Sequence, residues 1–148
     1  MTAIEMRDPS QGETAEARGR TRPVHHVLLA TDLSESSGRA TEQAITLAAR
    51  ENAVLQILAV ARRHADRDRL ERGVLQIRRR ARAAGVLATS VVWHGDPADS
   101  ILEAAWTERP DVLVVGARQH RWVAGLLGSV SSKVAGEAPC RVEIVPAG

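Results

Sequence analysis

Val24-His-His-Val-Leu-Leu-Ala-Thr31, followed by Asp32-Leu-Ser-Glu-Ser-Ser37, decides the fold. A short, mostly apolar run that ends in turn and capping residues reads as a buried strand feeding a helix. The same unit recurs downstream. Val54 to Val60, Val86 to Trp93, Val112 to Val115 and Cys140 to Val145 are further short apolar runs. Helical patterns lie between them. With Ser34 as N-cap, Ala40, Ala44, Leu47 and Ala48 fall on one face, and Asn52 closes that helix. Arg62 to Ala84 carries Leu70, Val74, Ile77, Ala81 and Ala84 in one stripe, with Gly85 where a terminating glycine belongs. Asp96-Pro97 starts a third helix, because the carboxylate caps free amides and proline needs no N–H at the first helical position. A short fourth helix follows Gly128 and is stopped by Pro139.

Five strands alternating with four helices predict an α/β domain. Right-handed crossovers give a Rossmann-like, five-stranded parallel sheet in the order 3-2-1-4-5, flanked by helices on both faces. The domain is expected over residues 23–148. Residues 1–22 alternate in charge around Pro9, Gly12 and Gly19 with little apolar periodicity, and read as a disordered tail.

Composition narrows the function. The chain has 148 residues and one cysteine, so an internal disulfide is excluded and a reducing compartment is expected. No apolar run reaches the length of a membrane span and the first residues are charged, so the expected location is cytoplasmic, away from membranes. Nine arginines between Arg62 and Arg82 face three acids, yet the net charge is only +2. They surround the apolar stripe as a solvated face does, and with no Phe or Tyr to stack bases a nucleic acid is not the expected partner. His25 and His26 point to opposite faces of one strand, and no histidine or cysteine spacing matches a metal site. Nothing marks a nucleophile or an acid–base pair, so a binding module is expected rather than an enzyme.

Ligands of such sheets bind outside the carboxyl ends of the strands, where strand order reverses. Asp32 closes the first strand and Gly116 the fourth, so both flank that crevice. Gly128-Ser129 opens the last helix, where free N–H groups and the helix dipole favour a phosphate, and Ser129 and Ser131 add hydroxyls. Each also has a plainer reading: Gly128 relieves crowding and Ser129 caps the helix. Arg118 and Arg121 flank the same loop and match phosphate geometry.

At these residues the chain resembles the universal stress proteins. The resemblance rests on Val27-Leu-Leu-Ala-Thr-Asp32-Leu-Ser, Gly95-Asp-Pro97 with Ile101 to Ala105, Asp111-Val-Leu-Val-Val-Gly116, Gly125-Leu-Leu-Gly-Ser-Val-Ser131 and Ala138-Pro-Cys-Arg-Val142. It implies a stress-response module that binds an adenine nucleotide, ATP or AMP with magnesium. The implied nucleotide residues are Asp32, Leu33, Val60, Gly116, Arg118, Gly128, Ser129, Val130 and Ser131. Nucleotide-binding members carry G-x2-G-x9-G-[ST] in the loop; here Gln119 replaces the second glycine, and eight residues separate it from Gly128. Gly116-Ala-Arg-Gln119-His-Arg-Trp122 instead resembles A-type members that bind no nucleotide and act through protein contacts, while Gly128-Ser129 resembles the binding members. Both readings stay open at this point. The resemblance further implies a homodimer through the last strand, carried by Val142, Ile144 and Val145.

Overall fold

The computed structural model describes residues 4–6, 22–117 and 128–147. Six strands and four helices follow in the order β1 (Ile4–Met6), β2 (His26–Ala30), α1 (Gly38–Glu51), β3 (Val54–Ala61), α2 (Arg67–Ala83), β4 (Ala88–His94), α3 (Pro97–Glu108), β5 (Val112–Ala117), α4 (Ser129–Glu137) and β6 (Arg141–Pro146). The sheet order is β1-β6-β5-β2-β3-β4. Its five strands from β2 onward are parallel and keep the expected 3-2-1-4-5 order, with β2 central between β3 and β5.

Side chains alternate across the sheet and sort the core into two layers. Val27 and Leu29 of β2, with Val112 and Val114 of β5, pack against Ala40, Ala44 and Ala48 of α1 and Leu70, Val74 and Ile77 of α2. Leu28, Ala30, Leu113 and Val115 face the other way, onto Ile101, Leu102 and Ala105 of α3 and Val134 of α4. The largest fully buried side chains are Leu, Ile and Val, so small helix faces sit close to the sheet. Asp111 locks the entry to the central strand: its Oδ2 accepts from the backbone N–H of His25 at 2.8 Å and of His26 at 2.9 Å.

Local signals meet the structure at several ends. Asn52 closes α1 in the left-handed region at φ 53°, and Gly85 turns the chain after α2 at φ 84°. Asp96 Oδ2 accepts from the Asp99 N–H at 3.0 Å, with Pro97 at the first helical position. Two starts differ. Ser34 precedes a 3-10 turn, Glu35–Ser37, and α1 begins only at Gly38; His64–Asp66 is a second such turn ahead of α2. A tight turn leaves a strand end faster than an α-helix can, and periodicity alone does not separate the two.

The amino-terminal segment brings the main difference. Ile4–Met6, expected to be without structure, pairs antiparallel with β6, in the register Ile4↔Ile144, Glu5↔Glu143 and Met6↔Val142. An edge strand offers a row of backbone N–H and C=O groups, and a short extended segment satisfies them without any apolar period of its own. Val142, Ile144 and Val145 are 1%, 0% and 3% exposed and belong to the two layers of the chain's own core. Their side chains are therefore core groups of this chain, and β1 pairs the edge of β6 over Val142–Ile144.

Candidate functional site

A cavity of about 550 Å³ opens at the carboxyl ends of β2, β3 and β5, where the strand order reverses. Ala30, Leu58, Val60, Ile101 and Val115 give it apolar walls, and Asp32, Gly116 and the Gly128–Ser131 turn stand at its polar rim.

The rim is built from β2 outward. The Thr31 hydroxyl lies 3.1 Å from the Ser37 hydroxyl and accepts from the Leu33 N–H at 3.0 Å. Ser37 also donates to the Ser34 carbonyl at 2.8 Å, so the 31–37 turn is braced from within. Asp32 Oδ1 accepts from the Ser34 N–H at 2.9 Å and the Ser34 hydroxyl at 2.6 Å, while its side chain remains at the exposed rim. Leu33 takes a left-handed backbone, φ 63°, which a leucine adopts only when held. What holds it is the Thr31 hydroxyl together with packing on the core. A Cβ at Gly73 of α2 would overlap Leu33 Cδ1, so that glycine makes room for the side chain.

Gly116 is explained by crowding. A Cβ there would meet Ser37 Cα at 3.2 Å and the Ser36 carbonyl oxygen at 3.5 Å, so the turn after β2 lies on the end of β5. Ser131, buried at 4%, donates its hydroxyl to the Gly116 carbonyl at 3.0 Å. That bond ties α4 to β5 and commits the hydroxyl expected to meet a phosphate; its backbone N–H remains.

Gly128, at φ −65° and ψ 163°, is the N-cap of α4, and the Ser132 N–H makes the first helical bond to its carbonyl at 2.9 Å. Ser129 is thus the first helical residue and not the cap. With no side chain, the cap residue itself supplies no side-chain hydrogen bond to the end of the helix. The N–H groups of Ser129, Val130 and Ser131 have no partner within the helix. All three residues line the cavity. Such an end attracts an anion, at about 0.3–1 kcal/mol for each favourable charge near the first turn.

Of the expected site residues, Asp32, Val60, Gly116, Gly128, Ser129, Val130 and Ser131 meet at this one cavity. Leu33 packs behind it. Arg118, like Gln119 and Arg121, lies outside the described residues. Three arginines join the wall unexpectedly: Arg62, Arg63 and Arg69. Arg63 is paired with Asp66 at 3.2 Å. Arg62 and Arg63 directly follow β3, as Asp32 follows β2, so the strand-end rule that selects Asp32 reaches them too. The other paired arginines of α2 serve the surface: Arg67 pairs with Glu71 at 2.8 Å, Arg80 with Glu42, and Arg82 bonds the Ala88 carbonyl at 3.0 Å.

On the far side of α4, Lys133 Nζ donates to Asp99 Oδ1 at 2.7 Å and joins α4 to α3. That bond and the carboxylate charge hold the ammonium pKa above its usual value.

The universal stress protein family profile matches residues 23–146, which span every element from β2 to β6. The chain belongs to the universal stress protein family. A universal stress protein solved in complex with cAMP is 33% identical, covering 86% of this chain and 100% of that one at a TM-score of 0.73. Protein Rv1636 of Mycobacterium tuberculosis H37Rv is 29% identical at a TM-score of 0.60, covering 79% of this chain and 90% of its own. A universal stress protein of Methanothermobacter thermautotrophicus is 45% identical over 56 residues, a match spanning 38% of each chain. The sequence kinship is therefore densest over a minor part of such relatives, while the fold kinship covers the domain. No described helix of this universal stress protein is long and apolar enough to cross a membrane.

Proposed function

We propose that this universal stress protein binds an adenine nucleotide, ATP or AMP, in the cavity and acts as a regulatory binding module of the stress response. The observation that carries the reading is the α4 N-terminus. Three backbone N–H groups, uncapped by any side chain of the Gly128 position, open into a cavity whose other rim is Asp32. Phosphate oxygens would accept from Ser129, Val130 and Ser131, with the ribose hydroxyls turned to the Asp32 carboxylate. Adenine would lie against Leu58 and Val60, since the described lining residues include no aromatic side chain to stack on it. Magnesium would accompany the ATP phosphates. The similar protein crystallised with cAMP supports an adenine nucleotide as the ligand class.

Calorimetric titration with ATP, ADP, AMP and cAMP, with and without magnesium, tests the reading. Saturable heat at micromolar to millimolar ligand is expected for at least one of them. Absence of heat with all four at millimolar concentration would leave the alternative, an A-type protein working through protein contacts.

A further inference from the structure

The cavity reaches farther than a mononucleotide held at α4 would use. Strand alternation sorts its lining between the two layers of the core. Leu58 and Val60 belong to the layer of α3 and α4, whereas Ala61 and Leu70 belong to that of α1 and α2. A nucleotide with its phosphate on Ser129–Ser131 and its base on Leu58 and Val60 fills the α4 side. The α2 side keeps charged groups of its own. We propose that this side is a second anion subsite, set by Arg62 and Arg69, and that the ligand class is an adenosine phosphorylated both at its 5′ position and on one ribose hydroxyl. The proposal rests on the nucleotide reading of the cavity and narrows it.

Three arginines, Arg62, Arg63 and Arg69, stand in this wall beside one carboxylate, Asp66. Arg63 is committed to Asp66, with Nε 3.2 Å from Oδ2. Among the described residues, Arg62 and Arg69 have neither an ion pair nor a side-chain hydrogen bond, so two guanidinium groups at the cavity lack a counterion.

Their places in the fold suit an anion. Arg62 directly follows β3, and Arg69 is the third residue of α2. A cation in the first turn of a helix opposes the helix dipole. Asp66, the N-cap of α2, makes no side-chain bond to the end of that helix. A phosphate between Arg62 and Arg69 would meet both guanidinium groups and the favourable end of the α2 dipole, as the 5′ phosphate meets that of α4.

The ribose is the part of the nucleotide that can carry this phosphate. Sheets that bind dinucleotides use a carboxylate for a free ribose hydroxyl and a nearby arginine for a ribose phosphate. Here both stand on neighbouring parallel strands, Asp32 after β2 and Arg62 after β3. One ribose hydroxyl keeps Asp32, and its phosphorylated neighbour turns to the arginines. The Ser34 N–H and hydroxyl already bond Asp32 Oδ1, which offsets part of its repulsion of that phosphate.

Titration calorimetry of the full-length chain with AMP, adenosine 2′,5′-bisphosphate and adenosine 3′,5′-bisphosphate tests the proposal. The native chain is compared with the double variant Arg62→Gln with Arg69→Gln. Native protein should bind one of the bisphosphates about tenfold more tightly than AMP, or better, as charge-assisted contacts to two guanidinium groups allow. The bisphosphate that gains identifies the hydroxyl left to Asp32. In the double variant the ratio of the two affinities should fall close to one, whereas a general loss of folding lowers both together. Added salt should shrink the native preference, because exposed guanidinium groups are screened. Equal native affinity for AMP and both bisphosphates overturns the inference while the nucleotide reading stands. So does a preference that persists undiminished in the double variant. No heat with any of the three at millimolar concentration overturns the nucleotide reading itself, and this inference falls with it.

Discussion

Gly116 and Ser131 show how single atoms hold the cavity open. The Ser37 backbone stands where a Gly116 side chain would begin, and the Ser131 hydroxyl bonds the Gly116 carbonyl. Gly116→Ala puts a methyl 3.2 Å from Ser37 Cα, against backbone that cannot swing aside. It should cost about 1–3 kcal/mol in denaturant unfolding, the usual range for overpacking, and weaken nucleotide binding as the 31–37 turn shifts. Ser131→Ala loses one buried bond and leaves a carbonyl without its partner. A loss of about 1–2 kcal/mol is expected, with the α4 end drifting from β5. Asp111→Ala removes the acceptor of two N–H groups at the start of β2 and should cost about 1–2 kcal/mol, without any effect on ligand affinity. Equal stability of that variant and the native chain in urea would deny Asp111 its role.

The α4 N-terminus separates stability from binding at the scale of one element. Asp caps helices slightly better than Gly, so Gly128→Asp should leave stability unchanged or raise it by a few tenths of a kcal/mol. The same carboxylate would occupy the N–H groups and repel a phosphate, so nucleotide affinity should fall at least tenfold. A variant that keeps its affinity would move the phosphate elsewhere. The elements themselves were legible in the sequence because their signals are local: apolar runs for the strands, Asp96-Pro97 for the start of α3, Asn52 and Gly85 for helix ends. Asp32, Gly116 and Gly128–Ser131 were legible for a different reason, since strand ends in this fold face one crevice. What escaped depends on distance in space. Nothing in Ile4-Glu-Met6 announces that a bare sheet edge will recruit it. The Ser131 hydroxyl looks free until α4 is laid beside Gly116. Arg62, Arg63 and Arg69 read as part of a solvated helix until β3 delivers the first two to the cavity wall.

At the scale of the molecule, a two-layer core of small aliphatic side chains supports one open cavity at the reversal of strand order, and ligand and stability are coupled through it. A ligand that binds only the folded chain adds about 2.7 kcal/mol at a hundred times its Kd. For a domain of this size that should raise Tm by roughly 5–10 °C. A nucleotide that titrates with heat but leaves Tm unchanged would be binding outside the cooperative fold. The central claim is that the cavity at the α4 N-terminus takes an adenine nucleotide. Amide chemical-shift mapping of the native chain during titration with ATP or AMP tests it most directly. The account predicts saturable shifts concentrated on Ser129, Val130 and Ser131, with smaller ones at Asp32 and Val60. Saturable shifts confined to other surfaces, or none at millimolar nucleotide, would contradict it.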